Sequence, residues 1–169
     1  MAAPHVRPQT RSLDLTDEAA TETLAARLSG LARRGDVIAL FGDLGTGKTT
    51  FARAFVNALP RAEGAPRGDE EVPSPTFTLL QIYERRPAPI WHFDLYRVRR
   101  PDEAYELGLE EALAEGISLI EWPERLGPLL PAERLEVHLA FGPTAEARTA
   151  ELVATATWAG RLADLARDA

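Results

Sequence analysis

The stretch FGDLGTGKTT, residues 41–50, sets Gly42, Gly45 and Gly47 around Lys48, the only lysine in a chain with 18 arginines. The spacing G-x-x-x-x-G-K-T, from Gly42 to Thr49, has a mechanical logic. Glycines let successive backbone N–H groups of Asp43, Leu44, Gly45, Thr46 and Gly47 turn inward as an anion nest, and a helix beginning there adds its positive end. A lysine is a compact charge on a flexible stem and reaches the β- and γ-phosphates of a nucleotide, where the planar fork of arginine fits poorly. Thr49 offers a hydroxyl to Mg²⁺, and Thr50 continues the helix start. The chemistry this stretch implies is nucleotide binding.

Such a site also needs a carboxylate at the end of a neighbouring strand, either to hold the metal or to polarise water. Two acids end apolar runs: Asp94 closes IWHFD and Glu121 closes ISLIE. Spacing alone leaves open which of them meets the metal and which the water. The segment SPTFT, residues 74–78, is stiffened by proline, so Ser74 and Thr76 can present hydroxyls at a fixed place, as switch loops do. Arg97, Arg99, Arg100 and Arg125 follow the two acids and serve either transferring charge or the surface. Trp122 is either a core anchor or a recognition platform. His5, His92 and His138 lack ligand spacing, so no histidine metal site is expected. The base is not chosen by a phosphate loop. Asn57 is the only asparagine, which excludes an Asn-Lys-x-Asp guanine element and leaves ATP as the expected nucleotide.

The elements that must position these groups are legible in outline. SLDL reads as a strand, and the helix after it has Thr16 as N-cap, Asp17 and Glu18 in its first turn, a buried face of Leu24, Leu28 and Leu31, and Gly35 as its stop. DVIALF is a buried strand leading into the glycine turn, and KTTFARAFVNALP a helix closed by Pro60. Residues 61–73 read as an exposed, mobile loop. TFTLLQIYE and IWHFDLY form a hairpin across RRPAP. PDEAYELGLEEALAEG is one helix ending on Gly116, followed by the strand ISLIEW. RLEVHLAFG and RTAELVATATW form a second hairpin before a C-terminal helix. The expected fold is an α/β three-layer sandwich of the P-loop NTPase kind, with a mixed, mainly parallel central sheet and antiparallel hairpins. One domain is expected over 1–169, with 1–10 a disordered tail.

Composition narrows the setting. Apolar residues make up 45% and charged residues 27%, and there is no cysteine, so disulfides and thiolate metal sites are excluded. No secretory signal or membrane-spanning run is visible, and a cytoplasmic location is expected. A net charge of −7 opposes direct grip on a nucleic-acid backbone, so any nucleic-acid task calls for a partner that holds it.

Taken in order, GDLGTGKTTFAR, SPTFTL, HFDLYR, ELGL and IEWPER resemble the TsaE family of small bacterial ATPases required for threonylcarbamoyladenosine modification of tRNA. The resemblance implies that Lys48 and Thr49 fall on phosphate and Mg²⁺ residues, and that Glu121 completes the metal site. It places Asp94 on a residue important for activity and Trp122 beside the nucleotide. It puts Glu18 of TDEAAT on the nucleotide side, and Thr144 of FGPT in the region of a further nucleotide contact. It also implies a two-protein threonylcarbamoyl-transferase heterodimer as partner, with tRNA met indirectly through it. Two rivals differ in class: a small-molecule kinase, for which YERRPAP is the one lid-like segment, and a non-hydrolysing module that uses ATP as a shape switch.

Overall fold

The computed structural model describes residues 7–62 and 71–167. The chain runs β1 (Gln9–Leu15), α1 (Glu18–Ser29), β2 (Val37–Phe41), α2 (Lys48–Ala58), β3 (Leu80–Tyr83), β4 (Ile90–Asp94), α3 (Pro101–Glu106), α4 (Leu109–Glu115), β5 (Ile117–Glu121), 3₁₀ turns over Pro123–Leu129, β6 (Leu135–Phe141), β7 (Arg148–Ala154) and α5 (Ala156–Arg167). One sheet has the order β1-β7-β6-β2-β5-β4-β3. Its middle four strands, β6, β2, β5 and β4, are parallel. The outer pairings are antiparallel.

Alternation along the strands sends side chains to two cores. Ile38 and Leu40 of β2, with Ile117 and Leu119 of β5, pack under Leu24 and Leu28 of α1, Phe51 and Phe55 of α2 and Trp158 of α5. Val37, Ile120, Trp91 and Phe93 point the other way, against Ala104 of α3, Leu109 and Ala112 of α4 and Leu126. Helices on both faces explain why β2, β4 and β5 are nearly continuous apolar runs.

Several local expectations are corrected. Asp17, not Thr16, caps α1, accepting the Ala20 N–H at 2.8 Å. The helix stops at Ser29 with Gly30 as C-cap, and Gly35 serves a later left-handed turn (φ 88°) in which Asp36 accepts the Arg33 N–H. Of the residues 1–10 expected as a disordered tail, 1–6 lie outside the described residues, while Gln9 and Thr10 belong to β1 and pair with Ala154 and Val153. Most of the loop 61–73 lies outside the described residues, yet at its ends Arg61 bridges Arg85 and Val72 is buried. β3 starts at Leu80 because Leu79 turns left-handed and donates its N–H back to Pro75. The single helix expected over 101–116 is two: Gly108 takes a left-handed φ of 97°, packed on the Trp91 indole, and breaks it.

Candidate functional site

The glycine turn joins the C-terminal end of β2 to the start of α2, in the middle of the parallel strands, where open α/β sheets place ligands. Gly42, Gly45 and Gly47 all have positive φ. Gly42 is also wedged: a Cβ there would lie 2.5 Å from both the Leu139 carbonyl oxygen and Thr46 Oγ1. Thr46 is buried and donates its hydroxyl to Asp43 O at 2.8 Å, which stiffens the turn. Leu44 stands exposed at its tip.

Lys48 is 5% exposed, an unusual state for a lysine. Its Nζ donates to Gly42 O at 2.5 Å and Asp43 O at 2.8 Å, and sits 4.1 Å from the centre of the Trp122 ring. Burial lowers its pKa, while Glu121, Glu124, Asp94 and Asp43 pull the other way. Trp122 leaves β5 in a left-handed conformation (φ 59°), costly for a bulky residue, and Tyr96 packs on it at 4.9 Å. The indole thus forms a wall over the lysine.

The two acids end adjacent parallel strands, and Asp94 is the register partner of Glu121. Both are buried. Glu121 Oε1 accepts the Thr49 hydroxyl at 3.0 Å, and Oε2 faces His92 Nε2 at 2.7 Å. Asp94 Oδ2 accepts both Ser74 Oγ (2.8 Å) and Thr76 Oγ1 (3.0 Å), and Oδ1 accepts the Tyr96 N–H at 3.0 Å. These pairings satisfy carboxylates that would otherwise be costly to bury.

Lys48, Thr49, Thr76, Asp94, Glu121 and Trp122 all line one cleft of about 320 Å³, with Ser74, Tyr96 and Thr50. A second cleft of about 610 Å³ shares Gly45, Gly47 and Thr50 with it and adds Glu18, Thr46 and Arg148. Thr144 lines neither; its hydroxyl accepts the Ala147 N–H at 3.2 Å, and its neighbours Ala145 and Glu146 line the second cleft instead. Arg148 ties this turn to the phosphate loop, donating to Ala145 O and, at 3.2 Å, to Gly45 O. Arg97, Arg99, Arg100 and Arg125 are exposed and line neither cleft; Arg97 lies over Phe77. The arginines of YERRPAP are engaged elsewhere, Arg85 with Val56 O and Arg86 with Ala62 O.

Sequence reasoning does not reach Tyr96, Arg148 or His92. The signal for His92 is its place two residues before Asp94, which in a strand puts both on one face.

The donor set suits a hard divalent cation. Among the described residues no three His, Cys, Asp or Glu side chains cluster as a metal cage. Mg²⁺ seldom needs one, keeping waters and substrate phosphates beside one or two protein oxygens. Thr49 Oγ1 and Glu121 Oε1 are 3.0 Å apart, which matches neighbouring vertices of an octahedron with metal–oxygen distances of about 2.1 Å.

Comparison with known proteins shows the family. The family model "Threonylcarbamoyl adenosine biosynthesis protein TsaE" matches residues 15–150. The tRNA threonylcarbamoyladenosine biosynthesis protein TsaE of Rickettsia bellii is 40% identical over 125 residues, covering 74% of this chain and 83% of that protein. The protein of the same name from Bacillus subtilis is 40% identical over 118 residues, covering 69% of each chain. A crystal structure of Bacillus subtilis YdiB superposes with a TM-score of 0.72 at 27% identity, covering 95% of this chain and 97% of that one.

Proposed function

Because the chain belongs to the TsaE family, and so to tRNA threonylcarbamoyladenosine biosynthesis, we propose that it works there as a partner-controlled ATPase. The observation that carries this reading is Lys48, buried in a glycine cradle beside the paired Thr49 and Glu121. A buried lysine held on carbonyls is a charge kept ready for an anion that replaces lost solvation.

The residues divide the work. Backbone N–H groups of Gly42–Thr49 and the start of α2 bind the phosphates, and Lys48 Nζ neutralises the terminal ones. Thr49 and Glu121 would hold Mg²⁺, which would supply positive charge to offset that of the phosphates. Asp94, fixed by Tyr96 N–H, orders the hydroxyls of Ser74 and Thr76 at the cleft and orients the attacking water with them. Trp122 and Tyr96 exclude bulk water from one side. The second cleft, with Glu18, takes the remainder of the nucleotide.

The partners in this reading are the two proteins of a threonylcarbamoyl-transferase heterodimer, which carry the tRNA. The chain itself does not transfer the threonylcarbamoyl group. Phosphate release from Mg-ATP tests it, measured with the chain alone, then with heterodimer and unmodified tRNA. Slow release alone that becomes productive in the mixture, and is lost in Lys48→Ala, is expected. Tight ATP binding with no release in any mixture would replace this reading with a non-hydrolysing switch, and a phosphorylated small molecule would replace it with a kinase.

A further inference from the structure

Glu121 is a carboxylate at 2% exposure with two protein side-chain partners among the described residues, one on each oxygen. The Thr49 hydroxyl is one. The other is His92, which is fully buried on β4 and approaches Oε2 to 2.7 Å. A carboxylate accepts, so the ring proton lies on Nε2; the opposite nitrogen, Nδ1, is buried without a hydrogen-bond partner among the described residues. A buried polar ring with one end unpartnered is held for the contact at its other end.

From this arrangement we infer that His92 is a positioning residue for Glu121, fixing the carboxylate so that Oε1 faces Thr49 as one half of a divalent-cation site. The two partners of Glu121 differ in what they would do when a cation arrives. Thr49 then gives its oxygen to the metal and no longer restrains Glu121. His92 lies on the far oxygen and keeps its bond. It is the protein contact that holds Oε1 in register with Thr49 Oγ1 in both states. The β4–β5 pairing makes this possible, because His92 and Asp94 share a strand face and sit opposite Leu119 and Glu121. Imidazole–carboxylate pairs of this kind orient ligands in metal sites generally, and losing one typically weakens metal binding about 10- to 100-fold.

The inference rests on the metal assignment proposed above, and its test separates the two. His92→Gln and His92→Met give side chains of nearly equal volume, of which only glutamine keeps a donor. Three quantities are measured on the full chain: Mn²⁺ affinity with saturating ADP by electron paramagnetic resonance, ADP affinity in EDTA, and the thermal midpoint. The methionine variant is expected to lose at least about tenfold in Mn²⁺ affinity, with glutamine staying within about threefold of the parent and ADP affinity in EDTA the same in all three. Parent-like Mn²⁺ binding in the methionine variant overturns the inference and leaves the ATPase reading standing. Equal loss in both variants overturns it too, since the donor would then be irrelevant. If methionine does not fold, His92→Leu, which likewise lacks a donor, takes its place and is read by the same criteria. A parent chain that binds no Mn²⁺ with ADP sinks this inference and the metal assignment together.

Discussion

Lys48 carries a cost in this fold that nucleotide binding would remove. Burial favours the neutral amine and lowers its pKa from 10.5, only partly opposed by Glu121, Glu124, Asp94 and Asp43. Between the lowered folded value and 10.5 the unfolded chain binds more protons, so stability rises with pH across that alkaline window. Below the folded pKa the penalty is present in full. Because Lys48 is the sole lysine, this is directly measurable: acylation of its amine, followed by mass spectrometry, should show a midpoint below 10.5. ADP should move that midpoint up, since phosphate favours the ammonium. A midpoint at or above 10.5 without nucleotide contradicts the desolvated lysine. Asp94 gives a second expectation. Three donors converge on its carboxylate, so Asp94→Ala should cost stability of about 1–3 kcal/mol as well as activity, whereas Asp94→Asn keeps an acceptor. The asparagine variant should fold and bind ATP yet lose about 100-fold or more in phosphate release; parent-like turnover would remove Asp94 from the site. The glycines, Lys48, Thr49 and both acids are legible in the sequence because each sits in a local pattern. His92 is not, since its partner is 29 residues away.

The phosphate loop depends on its neighbouring strand as much as on its own glycines. Gly42 has φ 148°, and a methyl group there would press on the Leu139 carbonyl of β6 and on Thr46. Neither backbone nor a buried hydroxyl that braces the turn can retreat cheaply. Gly42→Ala should therefore lower stability by about 2 kcal/mol or more and weaken ATP binding together with it. A variant with unchanged midpoint and unchanged affinity would mean the loop and β6 are not coupled. At this scale the sequence reveals β2, α2, β4, β5 and both hairpins, because their hydrophobic runs and turn residues agree. It misleads where a distant side chain decides. The apolar spacing of residues 101–116 continues through Gly108, and the break there follows from Trp91 packing beneath it. Likewise the strand expected from Thr76 begins four residues later, because Ser74 and Thr76 are drawn to Asp94 rather than into the ladder.

As a whole, the molecule sets its two carboxylates and its lysine at one end of the parallel strands, while two cores on opposite sheet faces hold those strands in register. Among the described residues, the outer strands that extend this frame, β1 and β7, contribute none to the first cleft; Arg148 of β7 lines the second and donates to Gly45 O of the phosphate loop. Net charge acts at the same scale. At −7 the chain repels a polyanion at long range, and binding driven by counterion release requires clustered cations facing phosphates. Mixed with unmodified tRNA at physiological salt, the chain alone should give no retention in a filter or gel-shift assay at about 10 μM, weaker than typical non-specific binders. Adding the heterodimer should bring both into one complex, and phosphate release should rise only then. If instead the isolated chain bound tRNA with an affinity that fell steeply between 50 and 200 mM salt, as proteins making many phosphate contacts do, a local cationic surface would outweigh the net charge. The partners would then be needed for chemistry alone and not for delivery of the RNA.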